Sequence, residues 1–318
     1  MDDAKDLDAA DAVSAFGAQS PRMVALSVLE RCLLHALPPE VALARLAVNV
    51  GAEIDADELA GIAASLHTND ICQRAWLAQV AGMLADRPQI LDAIRATAAS
   101  VCHQSGSDEA PAKIIARLAS GFDRASAVSP AASVQLSSLG EEEKLAAATY
   151  EIVDWLEQNG LTGGDKDILD IGCGIGRFES ALHSKVGRVV GTDISPNMIA
   201  IARRRCAGIA NVEFHRTTGF DLAAFDDAIF DCVLAVDSFP YLVLAGVAER
   251  HFLEVARVLK PEGLTAILNY SYRGSLALDR SDIMRLVGAC GIQLIVDGET
   301  PFSRWDGTAF LLRRFSGT

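Results

Sequence analysis

The chain lacks several features that would assign it to a class at once. A membrane-spanning helix needs about 20 predominantly apolar residues, and no uninterrupted apolar run of that length occurs. A secretory leader begins with a basic segment, whereas Asp2, Asp3, Asp6 and Asp8 make the N-terminus acidic. The seven cysteines are scattered and odd in number. They lack the rhythm of a disulfide framework, so a reduced, cytoplasmic location is expected. Positive charge is also short, with a formal net charge of −14. Phosphate backbones repel such a chain, and no basic stripe with interleaved aromatics is present. The densest basic run, Arg203-Arg204-Arg205, follows Ile199-Ala200-Ile201-Ala202 and reads as a solvated helix face. Nucleic acid and membrane are therefore not expected partners. There are no internal repeats.

What is present is a globular composition and one informative stretch. Half of the 318 residues are hydrophobic, enough for one large or two modest cores. Asp167-Ile168-Leu169-Asp170-Ile171 reads as a buried strand, and Gly172-Cys173-Gly174-Ile175-Gly176 reads as a tight turn after it. Residues compatible with a helix follow from Phe178 to Leu182. Arg188-Val189-Val190-Gly191-Thr192-Asp193 is a second strand that ends in an acid. This is a nucleotide-binding βαβ pattern. Asp193 falls where a carboxylate accepts hydrogen bonds from both hydroxyls of a ribose.

The glycine spacing selects among nucleotides. A dinucleotide fingerprint is G-x-G-x-x-G, with pyrophosphate at the helix N-terminus. Here Gly172, Gly174 and Gly176 give G-x-G-x-G, and Asp170 stands two residues before the first. A carboxylate there repels a pyrophosphate and favours an ammonium group. An adenosine-like ligand with a cationic amino-acid tail is expected. S-adenosylmethionine fits that description, and a nicotinamide cofactor does not.

Four blocks carry a family resemblance: Leu169 to Gly176, Gly191 to Met198, Phe230 to Asp237, and Arg257-Val258-Leu259-Lys260-Pro261-Glu262-Gly263. In that order and spacing, residues from about 145 to 318 resemble a class I S-adenosylmethionine-dependent methyltransferase. The resemblance implies an α/β, Rossmann-like seven-stranded sheet with helices on both faces and an antiparallel last strand. It places Asp170, Gly172, Gly174 and Gly176 along the methionine end of the cofactor. It places Asp193 on the ribose, and Ile194 and Met198 beside the adenine.

After the third strand many relatives carry an acid followed by a small residue. This chain reads Thr217-Thr218-Gly219-Phe220-Asp221. Thr218, Asp221 or the backbone takes the adenine amino group, with Gly219 in the same turn. Phe220 either packs on the adenine or belongs to the core. After the fourth strand comes Asp237-Ser238-Phe239-Pro240-Tyr241. It lacks the first proline of the Asp-Pro-Pro-Tyr motif of amino-group methyltransferases. Asp237 is a candidate proton acceptor or cation ligand, and Tyr241 a candidate wall of the acceptor pocket. A capping Asp and a packed Tyr are the plain alternatives. Asn269, Tyr270 and Tyr272 are further pocket-edge candidates. A magnesium site of the catechol-type enzymes would need an acid where Tyr270 stands, so no metal is expected. The pairs Cys32 and His35, His67 and Cys72, and Cys102 and His103 match no standard zinc spacing.

The chain before these blocks reads as all-helical. Pro21, Asp55 and the Pro38-Pro39 break delimit amphipathic segments, and two more cover about 69–85 and 87–101. The first twenty residues read as a frayed end. A polar stretch covers 103–111, a short helix 111–120, and a Ser- and Ala-rich linker 126–140. The expected organisation is a helical region, 1–136, followed by a cofactor-binding domain, 137–318. The helical region is expected to act as a lid, a dimerisation surface or a partner-binding module. The expected function is methyl transfer to a small-molecule acceptor. The alternatives are a protein side chain as acceptor, or a non-catalytic cofactor-binding regulator.

Overall fold

The computed structural model describes residues 20–103 and 109–315. The acidic N-terminus and the polar run Gln104 to Asp108 lie outside these residues. The described chain forms two compact units whose segments interleave in sequence. One comprises residues up to Val101, Arg124–Leu145 and Ser303–Asp306; the other comprises Cys102–Asp123, Ala146–Phe302 and residues from Gly307 onward.

The first unit is helical. Its helices are α1 (Pro21–Leu34), α2 (Pro39–Val50), α3 (Ala56–Ser65), α4 (Ile71–Asp86) and α5 (Gln89–Ser100). The Asp55 carboxylate accepts from Glu58 N at 2.8 Å, and Asp70 from Cys72 N at 2.7 Å, so side chains satisfy N-terminal donors of α3 and α4. Leu29, Leu43, Leu46, Leu59, Ile62, Leu84, Leu91 and Ile94 are fully buried in one cluster. Burying each such side chain contributes about 1.5–3 kcal/mol. Arg45 closes a 2.6 Å ion pair with Asp306 in the same unit.

The stretch expected as a linker is folded instead. Helix α6 (Pro111–Val128) runs eight residues past the expected end, and α7 (Pro130–Val134) and a 3₁₀ turn (Leu136–Ser138) follow. Ala131, Ala132, Gln135 and Ser138 are buried. Local partners satisfy the hydroxyls: Ser129 Oγ accepts from Ala132 N, and Ser137 Oγ accepts from Gln135 Nε2 at 3.1 Å. A serine-rich composition reads as loop only where such partners are missing.

The second unit is a seven-stranded sheet in the order β3-β2-β1-β4-β5-β7-β6. Helix α8 (Glu142–Gln158) leads into β1 (Gly163–Ile171). Then come α9 (Arg177–Leu182), β2 (Val186–Asp193), α10 (Pro196–Arg205), β3 (Val212–Arg216) and β4 (Phe230–Val236). The rest is α11 (Phe239–Leu244), α12 (Ala248–Val258), β5 (Leu259–Leu268), α13 (Leu276–Cys290), β6 (Ile292–Glu299) and β7 (Ala309–Arg314). Strands β1 to β5 pair in parallel, and β7 is antiparallel to both β5 and β6. Chain direction across the sheet reverses between β1 and β4, the switch point where α/β sheets bind ligands at strand carboxyl ends. Asp170, Asp193 and Asp237 all stand at that end.

Candidate functional site

The turn after β1 is built from left-handed residues. Gly172, Gly174 and Gly176 have φ of 77°, 54° and 77°. Space as well as conformation fixes Gly172: a Cβ there would lie 2.4 Å from Ser238 Cβ. The turn is anchored to β2, because Gly172 N and Cys173 N both donate to Thr192 O, at 2.7 and 2.9 Å.

Asp193 is held at the tip of β2. Its Oδ2 accepts from Gly174 N at 3.0 Å and its Oδ1 from Ser195 N at 2.8 Å. An ionised carboxylate has about four acceptor positions, so each oxygen retains capacity for a hydroxyl. Burial raises the Asp193 pKa to about 6, against the backbone donors that lower it. It is therefore ionised at neutral pH.

Asp170 differs. It is buried, and neither carboxylate oxygen finds a donor among the described residues. Ser238 Oγ is likewise buried without a partner. Buried polar groups are normally hydrogen-bonded, and an unsatisfied carboxylate is costly. An ammonium-bearing ligand supplies what this carboxylate lacks. Orphaned acid, glycine cradle and ribose-type acid together fit S-adenosylmethionine, while no arrangement here favours a pyrophosphate.

Beside Asp170, the Arg177 guanidinium is buried, 3.4 Å from Thr149 Oγ1 and stacked 4.5 Å above the Phe178 ring. Burial lowers its pKa to about 10, while Asp237 and Asp170 oppose that shift, so it remains a cation.

Beside the turn after β2 the structure adds residues from α6. Asp123 Oδ1 accepts from Ser195 Oγ at 2.6 Å and from Asn197 N at 3.1 Å. Gly219 has φ 77°, and a Cβ there would sit 2.8 Å from Ile194 and 3.0 Å from Ile115. Ile194, Ile115 and Gly219 thus share one wall. Met198 is buried at the start of α10, its N donating to Ser195 Oγ at 3.0 Å. Thr218 is exposed, its hydroxyl accepting from Phe220 N at 3.4 Å. Phe220 is half-buried. The Asp221 carboxylate pairs with Arg250.

Beyond β4 and β5 two non-glycine residues take left-handed conformations, Asp237 at φ 55° and Asn269 at φ 64°. Such strain persists only where surroundings enforce it. Here Asn269 Nδ2 and Tyr272 Oη both donate to Asp237 Oδ1, at 2.7 and 2.9 Å. Asn269 Oδ1 accepts from Thr308 N at 2.8 Å. Tyr241 joins an aromatic group: its ring centroid is 4.9 Å from Phe122, 5.7 Å from Tyr272 and 5.7 Å from His103. Burial and the Asp237 charge push the Tyr241 hydroxyl well up, so it is a donor rather than a base. Tyr270 lies apart from this group, buried and stacked on Phe239 at 5.6 Å.

Sequence reasoning missed Ile115, Phe122, Asp123 and Arg177. The first three lie about 70 to 120 residues before their partners, so no local spacing marks them. Arg177 adjoins the glycine turn and could have been found as a cation beside an orphaned acid. Among the described residues no group of three metal-ligand side chains occurs, and no helix is long and apolar enough to cross a membrane.

Comparison with known proteins agrees with this geometry. Residues 168–263 match the family described as methyltransferase domain. A demethylmenaquinone methyltransferase of Tropheryma whipplei is 37% identical over 115 residues, 36% of this chain and 45% of that protein. The methyltransferase GfsG of Streptomyces halstedii is 31% identical over 140 residues, 42% of this chain and 46% of that protein. The chain thus spans about half the length of the curated relatives it matches. Among solved structures, phosphoethanolamine N-methyltransferase 1 of Haemonchus contortus, with phosphoethanolamine and S-adenosylhomocysteine, superposes with a TM-score of 0.52. It covers 65% of this chain and 49% of that one at 16% identity, a likeness of fold.

Proposed function

We propose, from the premise that this chain carries a class I S-adenosylmethionine-dependent methyltransferase domain, that it transfers a methyl group to a small-molecule acceptor. The single observation that carries the reading is the buried Asp170 carboxylate without a donor, set beside the left-handed glycine turn and Asp193. When bound, S-adenosylmethionine supplies an electrophilic methyl group on a sulfonium.

The residues then divide the work. Asp170 receives the ammonium of the tail, and Asp193 receives the ribose hydroxyls. Gly172, Gly174 and Gly176 let the backbone approach the ligand closely. Ile194, Met198 and Gly219 border the adenine. Phe220 closes its edge, and Thr218 and Asp221 stand at the amino-group side. Asp237 and Tyr241 serve the acceptor. Asp237 is fixed by Asn269 and Tyr272, so it presents a charge in a set position. The rings of Tyr241, Tyr272, Phe122 and His103 suit a planar or partly apolar acceptor and help exclude water. Holding acceptor and methyl in line is the main catalytic contribution, because the transfer needs no covalent enzyme intermediate. The demethylmenaquinone named for one relative is in the same broad class of acceptor.

The test is turnover. Protein, S-adenosylmethionine and a panel of small aromatic and quinol acceptors should yield S-adenosylhomocysteine. Cofactor binding without turnover on small molecules or protein substrates would favour a regulatory cofactor-binding role. Self-association through the helical unit is part of the proposal. It is supported by the exposed Met23, Leu34 and Ile71 on that unit and is tested by sizing at several concentrations. A cytoplasmic location, supported by the scattered cysteines, is tested by fractionation.

A further inference from the structure

A second buried acid accompanies Asp170, and no part of the proposed chemistry uses it. Glu179, on α9, is fully buried, and neither of its carboxylate oxygens has a donor among the described residues. The fold makes room for it. Gly191 pairs with Asp170 across β1 and β2. A Cβ on Gly191 would lie 2.3 Å from Glu179 Oε1. Only a glycine at that register position leaves the volume in which the Glu179 carboxyl sits. The glycine therefore serves a side chain here as well as a turn.

Two carboxyl groups that interact in a buried space do not both ionise. Glu179 sits over Gly191, the β2 residue paired with Asp170, so the two carboxyls face one buried space, and a hydrogen bond between them requires one of the two to carry a proton. The surroundings favour Glu179 as the holder. Burial and the Asp170 charge push Glu179 well up, while Asp170 is raised to about 7. The other groups facing the pair are Arg177 from α9, Asp193 from the end of β2, and the thiols of Cys173 and Cys206. Arg177 favours ionisation of both carboxyls, and Asp193 opposes it.

We propose that Glu179 is a positioning residue for the cofactor's cationic tail: it keeps one proton on the carboxyl pair, donates it to Asp170, and makes cofactor binding release the second. The inference rests on the reading of Asp170 as the ammonium ligand. The proton balance is simple. At pH below the Asp170 titration both carboxyls are neutral. Arrival of the ammonium ionises Asp170, and that proton leaves to buffer. The Glu179 proton stays, holding the anion's orientation. Above the titration the pair already carries one proton, and binding releases none.

The experiment is calorimetry of S-adenosylhomocysteine and adenosine on the full chain between pH 5.5 and 7.5, in buffers of different ionisation enthalpy. For the wild type, affinity for S-adenosylhomocysteine should rise by up to about tenfold per pH unit at the acidic end, then flatten. Proton release should fall from near one to near zero in step. Adenosine, which has the ribose but no tail, should show only the smaller Asp193 dependence, centred near pH 6. Glu179→Gln keeps a neutral donor to Asp170, so its profile for S-adenosylhomocysteine should stay close to that of the wild type. Glu179→Leu removes the donor and should move the dependence to higher pH. Wild-type protein that binds S-adenosylhomocysteine with no more proton release than adenosine would overturn the proposal without any variant. So would a Glu179→Leu profile equal to the wild type. Failure of the wild type to bind either ligand would overturn instead the cofactor reading on which it rests.

Discussion

Replacing Gly172 by alanine tests whether the turn after β1 is fixed by both conformation and space. At φ 77° an L-residue costs about 1–2 kcal/mol relative to glycine. The new Cβ would meet Ser238 Cβ at 2.4 Å, where carbon atoms normally rest at about 3.5–4.0 Å. Rotating a side chain cannot relieve that contact, because Ser238 Cβ is fixed to backbone. The preceding Asp237 N is bonded to Leu268 O at 2.9 Å, so the backbone resists shifting too. Overpacking of this kind costs about 1–3 kcal/mol. The sum is about 2–5 kcal/mol, and a fall in Tm on the order of 10 °C follows for a unit of this size. The assay is thermal unfolding of Gly172→Ala, Ser238→Gly and the double variant. The double variant removes the overlap and keeps the φ strain. A coupling of about 1–3 kcal/mol between the two sites is therefore expected. Melting of Gly172→Ala within a degree or two of the parent would refute the reasoning. Additive effects of the two substitutions would refute the spatial half of it.

Other perturbations address the remaining parts of the site. If Asp193 holds the ribose as proposed, Asp193→Ala removes two charge-assisted bonds, each worth about 1.5–3 kcal/mol, and calorimetry should show cofactor affinity at least tenfold weaker in a folded variant. Asp123→Ala strips the acceptor of Ser195 Oγ and Asn197 N. It should lower Tm and weaken adenosine binding, whereas adenosine affinity equal to the parent's would separate α6 from the cofactor side. A chain beginning at Ser137 retains every strand but omits 102–123, which the fold groups with the sheet; it should bind cofactor more weakly than a chain beginning at Cys102. Burial raises the Asp170 and Asp193 carboxyls to about 7 and about 6, above the ordinary aspartate value of about 3.9. Between about pH 4 and 7 the unfolded chain therefore binds fewer protons, and the contribution of these groups to stability falls as pH rises. A cationic ligand offsets that loss, so the Tm gain from saturating S-adenosylmethionine should be larger at pH 7.5 than at pH 5.5 by scanning calorimetry.

The parts of the site that could be read from sequence are those in which one residue type answers one local demand. Gly172, Gly174 and Gly176 each take a left-handed conformation, and their spacing reports a backbone path. Asp193 stands at the end of a strand whose apolar run fixes its position. The sheet was legible for the same reason, since β1, β2 and β4 are short apolar runs punctuated by turn residues. Strand ends were less so: β5 begins at Leu259, before Pro261 and Gly263, residues that normally mark a turn. The missing parts depend on contacts between distant segments. Asp123 matters because α6 places it on Ser195, 72 residues away. Glu179 looked like an ordinary polar helix residue, and only the space over Gly191 makes it a buried acid. Ser129 to Ser138 looked like a linker because composition does not show that its hydroxyls find partners nearby.

The pairing of Arg45 with Asp306 has a consequence for the order in which the protein is made. The partners are 261 residues apart, and Ser303–Asp306, between β6 and β7, belongs to the helical unit. A ribosome adding about 5–20 residues per second needs on the order of half a minute to travel from one to the other. Throughout that interval the first-made helices wait for their last segment. The helical unit is thus completed only after Ser303–Asp306 has been added. Its final assembly is a late event that closes a very long loop, and a nascent chain halted before residue 303 lacks the Asp306 partner of Arg45.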